Sequence, residues 1–174
     1  MMYRKKDGKI FGVLNDYDLA ILKANNTPSS RARTGTRPFM AIDLLGKPTD
    51  LHRYRHDLES MFYVIVYVTS RYHNGQEIDD PPLQDWEELR EEALKAAKKG
   101  FLSDALPPRT DHYHNFSVWT RKMRVAILNG RSALAIHCEQ TDSTLENTPI
   151  FDVETLGGHV SFTSFGEIFG LSIE

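Results

Sequence analysis

The chain has 174 residues, 40% of them hydrophobic and 26% charged, a balance that fits one globular domain with a single sizeable core and leaves no room for a second complete domain. Its longest apolar run, Met61 to Val68, has eight residues, far short of the roughly 18 that a membrane span needs. "MMYRKKDGK" has no apolar segment behind its charges, so no secretory leader is expected and the chain reads as intracellular, cytoplasmic or nuclear.

The net charge of −3 conceals a split. Up to Arg131 there are 21 basic and 17 acidic residues, and beyond it seven acidic residues with no Lys or Arg. That asymmetry is too mild for a nucleic-acid binder, which carries a dense basic stripe, and reads as an acidic segment lying against a mildly basic body. Cys138 is the single cysteine. This excludes an internal disulfide and a zinc site built on several thiolates, and Cys138 is expected to be a small buried hydrophobe.

In chain order, Asp7-Gly8 sits between two segments that can alternate and predicts a hairpin. Residues 23–37, "KANNTPSSRARTGTR", hold Pro28 and Gly35 without periodicity and predict an extended exposed loop, of a length that tends to be functional. "HDLESMFYVIVYVTSRYH" fits either a buried strand or a buried helix from Asp57 to about Tyr72 with an acidic start and a basic end. Residues 84–99 predict an amphipathic helix with Trp86, Leu89, Ala93, Ala96 and Ala97 on one face, closed at Gly100. Residues 115–130 predict a second helix, with Phe116, Trp119, Met123 and Ile127 inward and Asn129-Gly130 as its stop. Both tryptophans are expected in the core. Gly157-Gly158 predicts a tight turn, and "SFGEIFGL" a short terminal helix.

The candidate chemistry starts at "VLNDYDLAI". Asp16 follows a predicted strand and faces a loop, a place from which a carboxylate can hold magnesium, which takes one or two protein oxygens and fills its shell with phosphate and water. Two aspartates this close also serve commonly as turn residues. His112, His114 and Asp111 alternate like metal ligands but read as a surface loop, because no third ligand is placed by the sequence.

Downstream blocks add weight to Asp16. "NDYDLA", then "GTRPFMAID", then the Asp57 segment resemble, in order and spacing, the D-F-G-L-A motif, the G-T-x-x-Y-M-A-P-E end of the activation segment and the core helix of a protein kinase, and the sequence is most similar to fungal-type protein kinases. The resemblance is strong over residues 9 to 70 and looser as far as "TLGGHVSF". It implies a helix for the ambiguous segment. It also implies that Asp16 is the magnesium ligand, that Tyr17 is the aromatic residue packed beneath it, and that Asp18 replaces a glycine and stiffens the motif. By the same comparison, Thr36 reaches the catalytic aspartate and shapes the substrate platform. Asp43, a shorter acid, stands at the glutamate that pairs with an arginine late in the lobe. Asp57 stands at the aspartate that bonds amides of the catalytic loop. Ser29, Ser30, Thr34 and Thr36, beside Arg31, Arg33 and Arg37, are candidate phosphorylation sites, since a phosphate there would pair with arginine; a plain solvated loop is the alternative.

Phosphoryl transfer works by positioning and charge stabilisation and needs more parts. In kinases a glycine-rich cover, a strand lysine, and a catalytic-loop aspartate and asparagine precede the magnesium ligand, whereas fifteen residues precede Asp16 and no G-x-G-x-x-G occurs among the 11 glycines. "RHDL" at 55–58 imitates H-R-D-L in the wrong order and place. The expected fold is therefore mainly α with a small N-terminal β-hairpin, an incomplete protein-kinase-like large lobe. It is laid out as hairpin and metal motif (1–22), activation-segment-like loop (23–45), helical core (56–138) and acidic C-terminal segment (139–174). Intact relatives would use ATP and magnesium to phosphorylate Ser or Thr. This chain alone is expected to bind neither tightly and to be inactive, with its missing small lobe or another protein as partner and with neither nucleic acid nor membrane. A noncatalytic, pseudokinase-like interaction module is the alternative.

Overall fold

Asp7 and Gly8 both take positive φ, 51° and 73°, the twist that joins antiparallel strands through a two-residue turn. Across it β1 (Met2–Lys6) pairs with β2 (Lys9–Val13), from Lys6 opposite Lys9 to Met2 opposite Val13, and the expected hairpin forms. The computed structural model describes residues 2–13, 36–46, 52–142 and 150–171. The chain divides into two units, Met1–Gly35 and Thr36–Glu174. The hairpin belongs to the first, and the elements below belong to the second.

The ambiguous apolar segment is a helix, α1 (Tyr54–Arg71). Phe62, Tyr63 and Val66 are fully buried, and a helix that is apolar on most of its surface belongs in a core. Asp57 in its first turn and Arg71 in its last complement the helix dipole. Thr69 and Ser70 stay inside because their hydroxyls donate to the carbonyls of Ile65 (2.6 Å) and Val66 (2.7 Å). The helix ends where Tyr72 turns extended, and β3 (Tyr72–His73) pairs with β4 (Gln76–Glu77) around Asn74-Gly75, again both at positive φ.

The next expectation needs correction. Residues 84–99 do not form one helix. Gln84–Glu87 make a single 3-10 turn entered through Leu83 at φ 63°, and α2 runs over Glu91–Ser103. Its buried face is Leu94, Lys98, Phe101 and Leu102, whereas Ala93 and Ala96 are exposed and Ala97 is half-buried. Trp86 reaches the core from its own turn, with its ring 5.6 Å from Tyr63 and 5.0 Å from Phe101. Such an arrangement has no periodic signature.

Neither of the predicted glycine stops is one. α2 passes Gly100, and α3 (Phe116–Asp142) continues well beyond Gly130. A Cβ at Gly130 would lie 2.8 Å from Leu156 Cβ and 3.2 Å from His159 Cβ, so this glycine marks the place where a later loop crosses the helix. The inward face of α3 is as expected, with Met123 and Ile127 fully buried and Trp119 packed beside them. Cys138, in contrast, is exposed. It lies near the end of α3, where Ile136 is exposed too.

The crossing loop turns through Leu156, Gly157 and Gly158, all at positive φ. It leads into α4 (Phe162–Ile168), capped reciprocally by Ser161 and Ser164 at 3.0 and 2.9 Å. Leu156, Val160 and Phe165 are each at most 2% exposed, so residues 150–171 of the acidic segment build core. Among the described residues no helix is long and apolar enough to cross a membrane.

Candidate functional site

Thr36–Gly46 contains only two 3-10 turns, Arg37–Phe39 and Ile42–Leu44, yet Pro38, Met40, Ala41, Ile42, Leu44 and Leu45 are buried. Buried backbone of this kind must find partners, and it finds them on side chains of the helices. Ile42 N–H donates to Glu59 Oε1 at 2.9 Å, and Lys98 Nζ donates to the Met40 carbonyl at 2.5 Å. Lys95 Nζ donates to the Leu45 carbonyl at 3.1 Å, and Gly46 N–H donates to Glu91 Oε2 at 3.2 Å. Arg37 spans to the carbonyls of Glu87 (3.2 Å) and Leu89 (3.4 Å).

At the centre of the segment Asp43 holds two arginines. Its Oδ2 lies 2.8 Å from Arg55 Nη1 on α1, and its Oδ1 lies 3.1 Å from Arg131 Nη1 on α3. Arg55 is 2% exposed and its Nε also donates to the Val153 carbonyl at 2.9 Å. Burial pushes the Asp43 carboxyl up, but Arg131 and Arg55 outweigh it and hold the group below the usual carboxylate range. Burial likewise depresses Arg131, and Glu59 and Asp43 more than restore it. His56 lies alongside with Nε2 3.9 Å from Asp43 Oδ2. Burial, helped by Arg55, lowers its pKa to about 3 against the pull of Asp43, and Nδ1 accepts from Arg53 N–H at 3.1 Å. His56 is thus a neutral ring with its proton on the buried Nε2.

Residues 1–69 match the fungal protein kinase family model. This bears out the resemblance drawn from the sequence, and Thr36, Asp43, Arg55, Asp57 and Glu59 fall inside the match while Arg131 lies beyond it. No curated protein and no solved structure matches the chain. The likeness to kinases therefore rests on the family match over residues 1–69, and the structure adds that the matched segment belongs to a mainly helical chain.

Asp16, Tyr17, Ser29, Ser30 and Thr34 lie outside the described residues. Thr36 is exposed at the entrance of the buried segment, and its carbonyl accepts from Phe39 N–H at 2.8 Å. Asp57 is not part of the Asp43 cluster. Its side chain is 70% exposed and pairs with His52 Nε2 at 3.2 Å, a hydrogen bond that raises the His52 pKa against the opposing effect of burial. Among the described residues no group of three His, Cys, Asp or Glu could hold a metal. Asp111, His112 and Tyr113 form a 3-10 turn, and His114, just past its end, has Nδ1 3.0 Å from the Asp111 carbonyl.

Sequence reasoning missed Glu59 and Lys98. Glu59 is 1% exposed and also accepts from Tyr63 Oη at 2.8 Å; Lys98 is fully buried, 3.8 Å from the centre of the Tyr63 ring. Burial drives the Lys98 amine down to about 7, with Glu59 opposing. Arg131 had a signal, since it is the last basic residue of the chain, but charge bookkeeping alone does not name its partner.

Proposed function

We propose that this chain is a portion of the large lobe of a fungal-type Ser/Thr protein kinase, in which residues 36–46 close the substrate-facing activation segment. The observation that carries this reading is Asp43, which ties that segment to α1 and α3 through Arg55 and Arg131 and leaves Thr36 exposed at its edge. A threonine in that position can orient a hydroxyl-bearing peptide, and positioning is most of what a phosphoryl-transfer enzyme contributes. Asp16 is the proposed magnesium ligand, with Tyr17 and Asp57 as supports, and the metal would neutralise developing phosphate charge. The 174-residue polypeptide by itself is proposed not to transfer phosphate.

The test is a chimera in which this chain replaces the corresponding segment of a catalytically complete fungal kinase. Phosphorylation of a Ser/Thr peptide is expected, weakened by Thr36→Ala and abolished by Asp16→Ala. A folded chimera without transfer would overturn the kinase reading. Calorimetry of the 174-residue chain with magnesium and ATP tests its isolated inactivity, which tight binding lost in Asp16→Ala would contradict.

A further inference from the structure

The linker 104–110 and the first turns of α3 enclose a cleft of about 380 Å³ lined by Ala105, Leu106, Arg109, Ser117, Thr120, Arg121 and Arg124. Ser117, Thr120, Arg121 and Arg124 share one helix face by their spacing of three, four and seven residues. Three guanidinium groups converge here. None of them forms an ion pair among the described residues.

The arginines have a structural task. Arg109 donates from Nη1 to the Pro107 carbonyl (2.5 Å) and from Nη2 to Thr120 Oγ1 (2.9 Å), Arg121 Nε donates to the Ser117 carbonyl (3.2 Å), and Arg124 Nη1 donates to the Asp104 carbonyl. The bonds from Arg109 to Thr120 and from Arg124 to Asp104 fasten the linker to the helix. They leave most of the donors over, because a guanidinium has five N–H groups. The Nε atoms of Arg109 and Arg124 are buried without any partner, an arrangement that costs free energy until an acceptor arrives. Burial without a counter-charge also lowers the Arg109 pKa to about 10. The bonds to carbonyls supply no negative charge, so among the described residues the cleft is lined by three cations and no anion.

We propose that this cleft binds the phosphate of a phosphorylated Ser or Thr side chain on a partner polypeptide. Arginine forks match phosphate oxygens in geometry and charge, the Ser117 hydroxyl adds a donor at the wall, and Leu106 and Ala105 offer apolar surface to the residues beside the phosphate. Among the described residues no aromatic ring lines the cleft, which disfavours a nucleotide held by base stacking.

The test is a titration of the full chain, followed by NMR, with a heptapeptide of Ala and Gly around a central phosphothreonine, beside the same peptide unphosphorylated and inorganic phosphate. The phosphopeptide is expected to shift the Ser117, Arg121 and Arg124 resonances and to bind more tightly than either control. Arg121→Gln, at an exposed position bonded within its own helix to the Ser117 carbonyl, should weaken it about tenfold, as loss of one charged hydrogen-bonding group predicts, and Arg124→Gln should add to the loss. Equal binding of the unphosphorylated peptide, undiminished binding by the Arg121→Gln chain, or inorganic phosphate binding as tightly as the peptide would each overturn the proposal.

Discussion

Replacing Asp43 by Asn removes one negative charge from between two guanidinium groups without changing the size of the side chain. Asn has a single carbonyl to offer, so one arginine would keep an acceptor while the other faced an amide donor. Arg55 is the expensive partner, since its side chain is 2% exposed; those of Asp43 and Arg131 are 18% and 23% exposed. Breaking a buried pair from one side costs about 3–5 kcal/mol, and the partial exposure of Asp43 and Arg131 places this site at the lower end, near 3 kcal/mol. The exposed His52–Asp57 pair provides the internal contrast, because removing such a surface pair costs only about 0–1 kcal/mol. Urea unfolding followed by tryptophan fluorescence reads both variants, since Trp86 is buried in the same unit. Acid supplies a second arm. The carboxyl is held below its ordinary range, so its contribution is present above the unfolded value of about 3.9 and is lost as pH falls through the lower folded pKa. Part of the wild-type acid sensitivity should therefore vanish in Asp43→Asn. A loss at neutral pH no larger than that of Asp57→Asn would refute the view that Asp43 braces the segment.

Two further outcomes follow from the packing. Gly130→Ala should lower stability by about 1–3 kcal/mol in thermal unfolding, because the new Cβ would meet Leu156 Cβ at 2.8 Å; overpacking of that kind outweighs the roughly 1 kcal/mol that alanine gains over glycine in a helix. Lys98 carries a pH signature of the same sign as Asp43 but in a higher window. Its amine releases its proton near 7 in the folded chain but near 10.5 in the unfolded one, so the unfolded state binds more protons between those values and stability rises with pH, by up to about 1.4 kcal/mol per unit. Lys98→Met should flatten the rise between pH 7 and pH 9 in urea midpoints, and an unchanged slope would show that the amine stays charged when buried.

What could be read from the chain beforehand divides along physical lines. The Asp7-Gly8 turn, the inward face of α3 and the Ser161 helix follow from local signals; Asn74-Gly75 carries the same turn signal, which went unread, and α1 is open between strand and helix on its own residues until the family resemblance decides it. Gly130 shows the limit of such signals, since a glycine required by a crossing loop resembles a helix stop. The α2 region failed because Trp86 and Leu94 reach one core from two separate elements, and a periodic pattern run on from Trp86 across both put Ala93, Ala96 and Ala97 inward in place of Leu94. Lys98 lies off the apolar face predicted for 84–99, and Glu59 lies in the segment read as buried, whose local pattern names no partner for a carboxylate. Only the buried backbone of residues 36–46 explains them, and its partners lie far away in sequence.

That dependence has a consequence for how the segment behaves. Residues 36–46 contain little of their own conformation and take it from Glu59, Glu91, Lys95 and Lys98 on two helices. The segment cannot form early or locally, and folding must bring α1 and α2 together before Ile42 and Gly46 have acceptors for their amides. A lesion in α2 is therefore felt first at Met40, Leu45 and Gly46, as though the helix were the memory in which the shape of the segment is kept.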